Sequence, residues 1–187
     1  MKYKLIASQR FYREICHAAA HAPSPVWPVF LPEGDRDRAR RLLFDWCAGE
    51  GQADAILLPE GYADGLCEGL TAPVPLVLPR VHNGYHLLLG ERYRALVEAF
   101  GGEAAFYTQG QLEWAPPRLA ARQNIYLSSA PLLPGLPPRG EGWQECAVQF
   151  DWLEQLCAGT WPQERFLVLQ PGQAVQPSYR RDVLAAR

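Results

Sequence analysis

Short apolar runs alternate with amphipathic stretches along the chain, and the alternation predicts its elements. Lys4-Leu5-Ile6-Ala7, Val26 to Leu31, Ala55-Ile56-Leu57-Leu58 and Pro75-Leu76-Val77-Leu78-Pro79 have strand length. They are largely continuous in apolar character, as parallel strands buried on both faces are. Helical stripes lie between them. Ser8 caps a predicted helix to about Ala20, with Phe11, Ile15, Ala18 and Ala19 on one face. Ala39, Leu42, Leu43, Trp46 and Cys47 fall at i, i+3, i+4, i+7 and i+8, and Gly49 and Gly51 end that helix. Asn83 caps another, in which Leu89, Tyr93, Leu96, Val97 and Phe100 share a face. Ala105-Phe106-Tyr107-Thr108, Ile125-Tyr126-Leu127 and Phe166-Leu167-Val168-Leu169 predict further strands. Cys146, Phe150, Leu153 and Cys157 predict one helical stripe, and Pro171 onward a tail. Pro131 to Gly142, dense in proline and glycine, predicts an irregular surface loop.

Strands alternating with helices predict an α/β fold: a mostly parallel sheet with helices on both faces, Rossmann-like and three-layered, as a single domain over residues 1–187. Leu31-Pro32-Glu33-Gly34, Leu58-Pro59-Glu60-Gly61 and Leu78-Pro79-Arg80-Val81-His82 each stop a strand on proline, which has no N–H to donate to a ladder. In an open α/β sheet these are carboxyl ends, where ligands bind at the switch in strand order. Ser8, Glu33, Glu60, Arg80, His82 and Asn83 are therefore expected to converge on one cleft.

Composition narrows the function classes. The formal net charge of 187 residues is −2, so there is no basic field to gather phosphates and nucleic acid is not an expected partner. Arg36, Arg38, Arg40 and Arg41 interleave with Asp35, Asp37 and Asp45 and read as a solvated helix face. No apolar run approaches the roughly 20 residues that span a bilayer. Met1 to Ser8 turns into a strand pattern rather than a signal core, so a cytoplasmic location is expected. Five cysteines, an odd number with no CxxC, read as reduced thiols.

Arg80 and His82, two residues apart, point the same way if extended. Together they can hold an anion, or His82 can act as general acid/base while Arg80 neutralises developing negative charge. The plainer account pairs Arg80 with Glu60 or Glu33 and lets His82 cap the next helix. His82 and His86 have the H-x-x-x-H spacing that metals use, but His82 precedes the helix and no HExxH carboxylate follows, so no metal is assigned. His17 and His21 share a helical face that Cys16 does not, and read as surface histidines. Cys67, the one cysteine in a glycine-rich loop at a strand end, is a candidate nucleophile, although no neighbour in sequence activates it; Cys146 and Cys157 read as core. Gly61-Tyr62-Ala63-Asp64-Gly65 matches neither GxGxxG nor GKS/T. Glu33 and Glu60 form an acid–base pair or two solvated loop carboxylates.

Asp54-Ala55-Ile56-Leu57-Leu58 with its glycine loop, Pro75 to His82, Leu87-Leu88-Leu89-Gly90, Gly159-Thr160-Trp161 and Arg165 to Gly172 together resemble a domain of unknown function, DUF1638. The resemblance spans nearly the whole chain and is poorest from about Trp114 to Gly142. It implies an α/β protein linked to corrinoid-dependent methyl transfer in one-carbon metabolism. Typical members carry cysteines where this chain has Ser8, Ala63 and Gly84, which implies a thiolate metal or cluster site there; the thiols are missing here, and only Arg80 and His82 remain. The expectation is a binding or accessory protein whose strand-end cleft takes a small acidic ligand or meets a metalloenzyme of the corrinoid-methyltransferase type, with Trp114 or Trp143 as anchors. The alternatives are an enzyme built on His82 and Arg80, and a metal carrier. No cofactor is assigned, and the six tryptophans and eight tyrosines make a homodimer an open expectation.

Overall fold

A computed structural model describes residues 1–100, 103–113, 123–129 and 142–177, and the backbone of 184–186. Of the predicted loop from Pro131 to Gly142, residues 131–141 lie outside the described residues, as does the anchor Trp114. The chain runs β1 (Tyr3–Ser8), a 3-10 turn (Gln9–Phe11), α1 (Tyr12–His21), β2 (Val26–Leu31), α2 (Arg36–Ala48), β3 (Ala55–Leu57), β4 (Leu76–Pro79), α3 (Gly84–Leu89) and α4 (Glu91–Ala99). It continues with β5 (Ala104–Thr108), α5 (Gln109–Leu112), β6 (Gln123–Ser128), β7 (Trp143–Ala147), α6 (Asp151–Ala158), β8 (Phe166–Leu169), β9 (Val175–Pro177) and β10 (Leu184–Ala186).

The fold is mixed α/β with a mostly parallel sheet. Five strands lie in the order β2-β1-β3-β4-β8, all parallel except β8, which runs antiparallel to β4. Strand alternation sends side chains to opposite faces. Leu5, Leu57, Val77 and Phe166 join one buried cluster with Ile15 of α1, Leu88 of α3 and Leu153 of α6. Ile6, Ile56, Leu76, Leu78 and Leu167 join a second with Ala39, Leu43 and Cys47 of α2. Both faces being apolar is why these strands show no polar alternation in sequence.

The structure differs from the expected single sheet. β5, β6 and β7 form a separate three-stranded parallel sheet, whose Ile125 and Leu127 pack into the first cluster. Cys146 belongs to β7, paired with Leu127, and not to the helix of Leu153 and Cys157. The helical spacing of these residues is a coincidence straddling a strand, residues 148–150 and α6. The helix capped by Asn83 is two helices, because Gly90, at φ 56 and ψ −135, breaks it. The expected tail turns back as β9, antiparallel to β10, with Val175 buried and its N–H donating to the Leu70 carbonyl at 2.9 Å. No helix among the described residues is long and apolar enough to cross a membrane.

Candidate functional site

The chain leaves β1 toward β2 on one side of the sheet and later fills β3 on the other, so strand order switches between β1 and β3. A crevice opens there at the carboxyl ends. Leu5 pairs with Leu57, so continuing the register puts Glu60 level with Ser8. The Ser8 N–H accordingly donates to Glu60 Oε1. Ser8 also pairs with Leu31, which places Glu33 just beyond the neighbouring strand end. The Ser8 hydroxyl donates to Glu33 Oε1. Arg10, in the 3-10 turn, grips the same carboxylate with both arms, Nε to Oε1 at 3.0 Å and Nη2 to Oε2. Its Nη1 reaches the Tyr85 hydroxyl at 3.4 Å, which donates to Gln111 Oε1 of α5 at 2.9 Å. Ser8, Arg10, Glu33, Glu60, Tyr85 and Asn83 surround an open pocket of about 350 Å³, a size suited to a small organic molecule.

The two glutamates sit in opposite electrostatic settings. Burial pushes the Glu60 carboxyl up to about 7, against the opposing pull of the Ser8 N–H and Arg10; the negative charges of Glu33 and Asp64 add to the rise. Burial alone would raise Glu33 too, but the hydrogen bonds from Arg10 and Ser8 outweigh it and hold that carboxyl below its usual range. Glu33 is thus fixed as an anion while Glu60 exchanges a proton near neutrality, a contrast that marks acid–base sites. Tyr85 is pushed up to about 12, first by burial, and stays a phenol.

Of the residues expected in the cleft, Ser8, Glu33, Glu60 and Asn83 line the pocket; Arg80 and His82 are not among its lining residues. β4 ends at Pro79, and the Arg80 N–H carries on toward β8 by donating to the Arg165 carbonyl at 2.8 Å. Its Nε donates to the Gln163 carbonyl at 3.0 Å. The His82 ring is exposed and stacks on His86, which stacks on Tyr93. His86 Nδ1 accepts from the His82 N–H at 3.4 Å, and burial, then His82 and Arg94, pull that imidazole down to about 4. The pair is a packed stack with one nitrogen committed. Asn83, not His82, caps α3, its Oδ1 accepting from the His86 N–H at 3.1 Å.

Two of the arginines read as a solvated face do more than face water. Arg36 donates to the Asp64 carbonyl at 2.7 Å, and Arg40 to those of Leu66 at 2.7 Å and Glu68 at 2.8 Å. They clasp the glycine loop that forms one wall of the pocket. Arg40→Ala is expected to cost about 2 kcal/mol, from charge-assisted bonds to carbonyls. Arg40→Lys should recover less than half of that, since one ammonium does not span the same acceptors. Urea unfolding midpoints of the two variants check this.

Cys67 is buried, and burial pushes its thiol up, so it is no activated nucleophile. Cys47, Cys146 and Cys157 are likewise buried, and only Cys16 is exposed. A thiol-reactive disulfide reagent should therefore titrate one cysteine rapidly in the folded protein and all five in denaturant.

Ser8, Ala63 and Gly84, the positions that the resemblance pairs with thiols, all line the pocket. A thiolate cluster does not fit it. A Cβ at Gly84 would lie 2.4 Å from the Phe11 ring, and the donors actually present are hard oxygens rather than soft sulfurs. Among the described residues, no group of three or more His, Cys, Asp or Glu side chains is arranged to hold a metal ion.

The sequence reading missed Arg10 and Tyr85. Arg10 had a signal, a cation two residues past a strand-ending serine; Tyr85 had none, because its role depends on α5 from the other sheet. No family model, curated protein or solved structure matches the chain.

Proposed function

We propose that the protein binds a small polar molecule in the pocket at the carboxyl ends of β1 and β3, with Ser8, Glu33, Glu60 and Asn83 as polar contacts. The sheet order, taken as a Rossmann-like three-layer arrangement, supports this place. The observation that carries the reading is the convergence of polar groups from three strand ends and the cap of α3 on one hollow of about 350 Å³. The resemblance to DUF1638 adds methyl-transfer metabolism as a setting and a corrinoid-dependent enzyme as partner. Native mass spectrometry of protein from its own host tests both. A small-molecule adduct is expected, lost in Ser8→Leu, whose side chain would intrude on the pocket. A protein carrying no adduct, and whose melting temperature no member of a metabolite panel raises, would end the reading.

One observation favours a second reading, catalysis by proton transfer: the pocket holds one carboxyl as an anion and the other near neutrality. Glu60, rather than His82, is then the acid/base. A time-dependent change in the mass of the bound molecule, present in the wild type and absent in Glu60→Gln, would separate turnover from binding.

A further inference from the structure

We propose that the molecule taken into this pocket is a small organic cation, an amine or amidine, held on the Glu60 carboxylate. The inference rests on the binding reading above and names its ligand class. It follows from which charges in the cavity are already matched. The lining carries the carboxyls of Glu33, Asp35, Glu60 and Asp64 against the guanidinium groups of Arg10 and Arg36. Arg10 is committed to Glu33 and Tyr85, and Arg36, which is exposed, gives one bond to the Asp64 carbonyl, so four carboxyls face two guanidiniums and the lining is net negative. Little cationic capacity is left for an anion.

Among the acids, Glu33 has both oxygens bonded, while Asp35, which accepts the Arg38 N–H at 2.9 Å as the cap of α2, and Asp64 are exposed, so their charge is spread into water rather than held in the cavity wall. Glu60 differs. Its Oε1 takes the Ser8 N–H, while among the described residues its Oε2 accepts no hydrogen bond and is not sealed from solvent. A carboxylate with a free oxygen in a cavity wall suits an N–H donor carrying positive charge. The absence of a metal-holding group among the described residues, and a volume far beyond a bare ion, favour an organic cation.

Binding would be coupled to protons. The groups facing Glu60 are Arg10 from the turn after β1, Glu33 after β2, Asp64 and Cys67 in the glycine loop, and Tyr85 on α3. Glu14 of α1 flanks it across a small apolar cavity. Of these, the only cation is already paired, so an incoming ammonium supplies the missing charge, ionises Glu60 and sends its proton to the buffer.

Isothermal titration of the full chain with agmatine and with methylammonium, in two non-amine buffers of different ionisation enthalpy, tests this. Agmatine should bind with release of about half a proton at pH 7 and nearly one at pH 6, given a carboxyl near 7. Glu60→Gln, near-isosteric and neutral, should weaken binding about tenfold or more and abolish the release. Binding without proton release, undiminished binding to Glu60→Gln, or failure of both amines would overturn the proposal. If ribose or phosphate binds instead, or the native adduct is not a cation, the ligand class falls while the pocket reading stands. If no probe binds and no adduct is found, both fall.

Discussion

Gly61→Ala is expected to destabilise the protein by more than about 3 kcal/mol, well beyond the ordinary cost of a glycine replacement. Gly61 sits at φ 60, in the left-handed region, where a side chain costs roughly 1–2 kcal/mol. Space is the larger obstacle. A Cβ there would lie 2.4 Å from the Val81 carbonyl oxygen and 2.7 Å from that of Pro79. Both carbonyls are fixed, Val81 O by the Tyr62 N–H at 3.2 Å and Pro79 O by the Val81 N–H at 2.8 Å. The end of β4 would have to move, and overpacking of this kind adds about 1–3 kcal/mol. Gly34 is the control: its φ is 86 but a Cβ would meet nothing within 4 Å. Gly34→Ala should show the backbone cost alone. Equal urea midpoints for the two variants would refute the close approach, and with it the account of how Glu60 is held against the next strand.

That close approach explains how much of the site could be read from sequence. Parallel strands share a direction, so residues just past the prolines at 32, 59 and 79 had to come out at one edge. Ser8, Glu33 and Glu60 met there for that reason. Arg80 and His82 do not line the pocket with them, because side chains two residues apart share a direction only on an extended chain beyond Pro79. The backbone bends there instead, and carbonyls 79 and 81 turn toward Gly61. Which strands share a sheet was not legible either. Nothing local to Ile125 or Cys146 says that they pair with each other's strands rather than with β8. The period-3.6 match around Cys146 pointed the wrong way, since three or four apolar residues fit that spacing by chance across a strand–helix junction. Arg10 and Tyr85 act through contacts with residues far along the chain, and a single sequence carries no record of those.

Glu60→Gln is expected to stabilise the unliganded protein above neutral pH and leave it nearly unchanged in acid. The unfolded carboxyl titrates near 4.5 and the folded one near 7, so between these values the native state holds a proton that the unfolded chain releases. Native stability from this group is therefore full below pH 4.5, falls as pH rises through 7, and is flat above. The whole change is worth about 3 kcal/mol. Glu14, buried and also raised by its burial, changes stability with the same sign, while Glu33, lowered, has the opposite one. The raw pH profile mixes them all, and the difference between wild type and Glu60→Gln isolates one. Urea unfolding at pH 5, 6, 7 and 8 should show the two curves parting by about 3 kcal/mol, with the variant ahead at pH 8. Curves that stay parallel would mean that Glu60 is an ordinary solvated carboxylate. A carboxyl that costs this much empty is a reason to look for what fills the pocket, because a ligand that ionises Glu60 favourably recovers the stability that its burial removes.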